Sequence, residues 1–97
     1  MMNKYEILKV LEGVRKEVKK KYKADIKGIF GSYVRGDNRK ESDVDVLVDF
    51  EETADLFDLV GLSYFLGNKL HCNVDIVPQR ALREEIKPYI LNEILHL

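Results

Sequence analysis

The segment SDVDVLVDF, residues 42–50, limits the possible folds more than any other stretch of the chain. Val44, Val46, Val48 and Phe50 recur at every second position. An extended strand puts residues i and i+2 on one face, so these four form an apolar face. Asp43 and Asp45 then project side by side from the opposite face. Two parallel carboxylates on a rigid strand suit a hard divalent cation. Upstream, the apolar run Ile26 to Phe30 ends in Gly31-Ser32, and a polar loop, RGDNRKES, leads on to Asp43. A Gly-Ser turn that opens a helix offers a phosphate backbone amides, a hydroxyl and a favourable dipole. Together these features point to metal-assisted chemistry on a nucleotide.

The remaining periodicities supply the elements around this segment. Ile7, Leu8, Leu11, Val14, Val18 and Tyr22 recur at helical spacing and predict a helix over residues 3 to about 23. Ile26 to Phe30 reads as a first strand, with Ser32 suited to cap the short helix after it. Val44 to Phe50 is the second strand. A third helix is expected over about 54 to 70, with Leu56, Phe57, Val60, Tyr64 and Leu70 along its buried face. Gly61 and Gly67 within it mark either close packing on the sheet or fraying. Asn73 to Val77 is a third strand that Pro78 stops. Leu82, Ile86, Tyr89, Ile90, Ile94 and Leu95 make a last helical stripe, with a kink or a fresh start at Pro88. Strands and helices in alternation predict an α/β or α+β domain, a small mixed sheet of about three strands with helices covering one face.

Ninety-seven residues make one domain, 1–97, with one modest core. The net charge of -1 gives no reason to expect strong nucleic-acid or membrane binding. Cys72 is the only cysteine, so no internal disulfide points to secretion. The N-terminal segment MMNKYEILKVLEG lacks the apolar core of a signal peptide, and no run approaches a membrane span. A cytoplasmic location is the default expectation.

A lone D-x-D is more often solubilising than functional, and a lone Gly-Ser is weak evidence; here neither stands alone. Asp75 lies between the β-branched Val74 and Ile76, which belong on a buried face, so Asp75 points away from the core. If the third strand lies beside the second, Asp43, Asp45 and Asp75 converge. Close carboxylates raise one another's pKa, and a bound cation such as Mg²⁺ removes the conflict. The glycine-rich signature of a Walker loop is missing around Gly31.

The pattern G-S-x10-D-x-D followed by a strand aspartate resembles the nucleotidyltransferases of the DNA polymerase β superfamily. The fuller strings GSYVRG and SDVDVLVDF, with NVDIVP further on, resemble the minimal nucleotidyltransferase group. The resemblance implies that Asp43 and Asp45 bridge two Mg²⁺ ions. Asp75 would bind one of them and help to deprotonate an acceptor hydroxyl. Gly31 and Ser32 would hold the β- and γ-phosphates of ATP. Arg35 matches the GSxxRG pattern and either contacts phosphate or bridges to nearby aspartates. The resemblance further implies a partner: a HEPN-domain ribonuclease toxin, silenced in a type VII toxin–antitoxin system when AMP is transferred to one of its tyrosines. Two alternatives stay open. One is a non-catalytic antitoxin that neutralises its partner by contact, with the stripe Ile86 to Leu97 as docking surface. The other is nucleotidyl transfer to RNA or a small molecule.

Other features read more plainly. KKKYK, residues 19–23, is a solvated helix end in preference to a nucleic-acid patch. His71 and Cys72 suit packing or surface roles. Tyr5, Tyr22, Tyr64 and Tyr89 are expected in core or interface, and Tyr33, next to Ser32, near the nucleotide.

Overall fold

The computed structural model describes residues 2–97. Helix α1 spans Lys4–Tyr22, strand β1 Ala24–Phe30, helix α2 Ser32–Arg35 and strand β2 Val44–Phe50. Helix α3 follows at Leu56–Leu70, strand β3 at Val74–Pro78, a 3-10 turn at Gln79–Ala81, helix α4 at Lys87–Glu93 and strand β4 at Leu95–His96. The four strands form one mixed sheet in the order β3-β2-β1-β4. β2 pairs parallel with β3, whereas β1 pairs antiparallel with both β2 and β4. The parallel pair requires a crossover, which α3 provides.

Helices α1 and α3 begin alike. Asn3 and Glu6 form a reciprocal capping box on α1, and Asp55 and Asp58 form one on α3. Each box satisfies two amide donors left over by the first turn. α1 buries Ile7, Leu11 and Val18 against the sheet and α3. From β2 the same core takes Val44, Val46 and Val48, the face expected from their alternation.

The buried face of α3 is not the expected one. Leu56, Phe57, Val60 and Tyr64 are 72%, 86%, 43% and 73% exposed, while Leu62, Leu66 and Leu70 are buried. Of the residues assigned to that face only Leu70 belongs to it. The row at i, i+4, i+8 from Leu62 is purely aliphatic and joins the main core, with Phe65 packed at its edge. Gly61 meets the ring of Tyr22 on α1 and not the sheet, since a Cβ there would come within 2.9 Å of Tyr22 Cε1. Gly67 lies against the carbonyl of Cys72 in the turn that closes α3. Neither glycine packs on a strand.

The sheet has a fourth strand that the sequence did not announce. Leu95–His96 pairs with Gly28 and Ile29, so Ile94 and Leu95 leave the helical stripe. β4 approaches so closely that a Cβ on Gly28 would collide with the Leu95 carbonyl. Pro88 lies in the first turn of α4, a fresh helix start, where its missing amide costs no hydrogen bond. Nor do helices cover one face alone. Phe30, Leu47 and Ile94 form a second buried cluster, with Val77, Leu82 and Ile90 packed against it. Leu47 points opposite to Val46 and Val48, so this cluster sits on the face that also carries Asp45, and α4 lies over it. Among the described residues no helix is long and apolar enough to cross a membrane.

Candidate active site

The site lies where β1, β2 and β3 meet α4. β1 ends at Phe30 and the chain turns at Gly31, whose φ of 84° is open to glycine and strained for other residues. Gly31 caps the single turn of α2. Ser32, expected as the cap, is instead the first helical residue, and no side-chain cap bond forms. Space sets a second demand at Gly31: a Cβ there would run into the carboxylate of Asp45.

Asp43 is exposed, just ahead of β2, and Asp45 lies within the strand and is half-buried. The loop before them is stapled by Arg39 and Ser42, with the Arg39 amide donating to Ser42 Oγ at 2.8 Å. Across the parallel pair Asp45 stands level with Asp75, as Val44 does with Val74 and Val46 with Ile76. Val74 and Ile76 are buried and Asp75 is exposed, the orientation expected from their alternation. Burial, then the charges of Asp75 and Asp43, push the Asp45 carboxyl up to about 6, and a hydrogen bond with Asp75 adds to the rise. Asp43, two positions before it, and Asp75, thirty positions after it, therefore both act on Asp45. They are all hard oxygen donors, the kind Mg²⁺ takes. Among the described residues no group of three or more His, Cys, Asp or Glu side chains is gathered closely enough to grip a metal as it stands.

Gly31, Arg35, Asp45, Asp75, Tyr89 and Glu93 line one open cleft. Glu93, on α4, was not singled out in the sequence. Its Oε2 accepts from the Gly31 amide at 2.8 Å, and its Oε1 accepts from Arg35 Nη1 at 2.9 Å. Arg35 also donates to Asp37 at 3.3 Å, and these two carboxylates raise its pKa. Arg35 thus bridges two acids, one of them from the far end of the chain. The sequence held a faint signal for Glu93. It falls at helical spacing from Ile86, Tyr89 and Ile90, an acid within an otherwise apolar stripe.

Tyr33 is not at the cleft. It is 5% exposed and part of the main core, while Tyr5, Tyr64 and Tyr89 are 68%, 73% and 77% exposed. Tyr33 is thus core and not near the nucleotide, and Tyr5, Tyr64 and Tyr89 lie outside the core. A one-turn helix sends its second residue inward, and burial followed by Cys72 and Asp43 raises the Tyr33 hydroxyl pKa. Cys72 is a free, half-buried thiol. His71 is exposed and adopts the left-handed conformation that ends α3. Lys21, in the basic end of α1, pairs with Glu17 at 2.7 Å.

The model of the nucleotidyltransferase domain family matches residues 11–96. A protein adenylyltransferase MntA of Thermococcus cleftensis is 36% identical over 97 residues, covering 100% of this chain and 98% of that protein. A solved structure described as a minimal nucleotidyltransferase superposes with a TM-score of 0.75 at 34% identity, covering 99% of this chain and 97% of the other. A crystal structure of a toxin–antitoxin with AMP-PNP shares the fold at a TM-score of 0.69 and 24% identity, covering 98% of this chain and 72% of that one.

Proposed function

The chain belongs to the nucleotidyltransferase domain family, and from that premise we propose that it transfers AMP from ATP, with Mg²⁺, to a hydroxyl of a partner protein. The observation that carries this is the level pairing of Asp45 and Asp75 beside the Gly31 amide in one cleft. The full-length likeness to a protein adenylyltransferase supports a protein as the acceptor.

Asp43, Asp45 and Asp75 would hold the metal. Their chemistry fits it: the proton that Asp45 keeps up to about pH 6 relieves the same crowding that a cation would relieve. Bound Mg²⁺ would supply positive charge to the phosphates and to the acceptor oxygen. The chain does the rest. The Gly31 amide and the Ser32 hydroxyl orient the β- and γ-phosphates, and Asp75 accepts the proton of the acceptor hydroxyl. The acceptor oxygen bonds to the α-phosphorus as the bond to the β-phosphate bridge breaks, and diphosphate leaves.

The partner we favour is a HEPN-domain toxin modified on a tyrosine, with this chain as its antitoxin. A structural neighbour is a toxin–antitoxin that contains AMP-PNP, a fold likeness consistent with that role. Incubation with the toxin, labelled ATP and Mg²⁺ should label the toxin, and the Asp43→Ala/Asp45→Ala protein should leave it unlabelled. Equal labelling by both proteins would sink the assignment. A second reading, neutralisation by contact, draws on the bare apolar face of α3 formed by Leu56, Phe57, Val60 and Tyr64. It requires the double variant still to silence the toxin.

A further inference from the structure

We infer that Glu93 is a built-in occupant of the phosphate cradle, and that nucleotide must displace it to bind. The inference rests on the reading of Gly31 as a phosphate-holding residue and goes beyond it to how that site is regulated. The contact has two prongs. One carboxylate oxygen takes the Gly31 amide at 2.8 Å and the other takes Arg35 Nη1 at 2.9 Å. An amide and a guanidinium held on two oxygens of one anion is also the pattern a phosphate would present. Glu93 therefore satisfies the donors that a nucleotide needs.

The anion is brought there by packing. Ile94, the next residue, is buried with Phe30 and Leu47, and Ile90, one turn back, packs on the same cluster. β4 then fastens the segment to β1 through Gly28 and Ile29. The Glu93 side chain is 23% exposed against 52% for Arg35, so it is the better sheltered member of the pair. α4 itself is short and buries none of its own residues fully. Its lifting takes the half-buried Ile90 off the cluster while Ile94 and β4 stay in place. When Glu93 leaves, Arg35 loses a partner and its guanidinium turns to the incoming phosphate. Closed, the cleft holds a carboxylate; open, it holds the nucleotide and has both donors available.

The test measures binding and motion, not turnover. Dissociation constants for ATP and for AMP-PNP are measured without metal and with Mg²⁺, in the wild type, Glu93→Gln and Glu93→Ala. Loss of the competing carboxylate should tighten binding about tenfold in Glu93→Ala, the scale of one charge-assisted hydrogen bond, and less in Glu93→Gln. In the wild type, amide exchange over residues 87–93 should speed up when nucleotide is added, and the Gly31 amide resonance should move in Glu93→Ala before any is added. Unfolding midpoints close to that of the wild type show that the variants fold. Equal affinities in all three proteins, or exchange in α4 unchanged by bound nucleotide, overturns the plug and leaves the nucleotidyltransferase reading intact. Failure of all three to bind nucleotide overturns both.

Discussion

Asp45 carries the electrostatic cost of the site. Its carboxyl titrates near 6 in the fold and at the ordinary carboxylate value in the unfolded chain. The folded protein thus holds more protons than the unfolded one between those values, and stability falls as pH rises from about 4 to about 6. Below that window Asp45 is neutral in both states and nothing is lost. Replacing Asp45 by Asn should therefore stabilise the metal-free protein above about pH 6. A gain of about 1 kcal/mol allows for the half-exposure of the group and corresponds to a thermal midpoint about 4–8 °C higher. At pH 4 the gain should vanish, and scanning calorimetry at pH 4 and 8 checks both. The same substitution should abolish nucleotidyl transfer. The placement of Asp45 and Asp75 on one face was legible because strand alternation is a strict rule; Asp43, ahead of the strand, falls outside that rule. Glu93 was not legible, because nothing local ties residue 93 to residue 31; only the packing of Ile90 and Ile94 brings them together.

Among the elements, β2 and β3 were readable nearly to the residue, since β-branched residues in alternation admit few other structures. α3 had its limits placed within two residues but its face reversed. Two apolar rows run along that helix, and spacing alone does not say which one the sheet will choose. In the fold Leu62, Leu66 and Leu70 fill the interior, and Phe57 and Tyr64 remain outside. β4 was missed because two residues leave no period to detect. Its dependence on Gly28 can be tested. Gly28→Ala places a methyl against the Leu95 carbonyl and should cost about 1–3 kcal/mol, the price of overpacking. Chemical denaturation measures the loss, and faster amide exchange at Leu95 and Leu97 should accompany it.

For the molecule as a whole, the radius of gyration is 12.5 Å, the size expected of a compact chain of this length. The overall charge of -1 conceals how its acids are spread: Asp45, Asp75 and Glu93 line one cleft, and Asp43 is near enough to raise the Asp45 carboxyl. Sheet class could be read from the order of elements, whereas the adjacency of β2 and β3 entered only as a condition, which their parallel pairing meets. The second cluster under α4 could not be read, because Leu47 in the midst of a valine strand gives no hint of what will cover it.

The level pairing of Asp45 with Asp75 has a consequence for how the chain reaches its fold. Twenty-nine residues lie between them, including all of α3, so β3 docks on β2 only after a long loop has closed. At that moment two negative charges are pressed together. Assembly of the sheet should therefore slow as pH rises through about 6, and Mg²⁺ or the Asp45→Asn substitution should restore the rate. Stopped-flow refolding at pH 5 and pH 8 measures it, and a rate indifferent to pH, metal and substitution would mean that the carboxylates meet only after the barrier has been crossed.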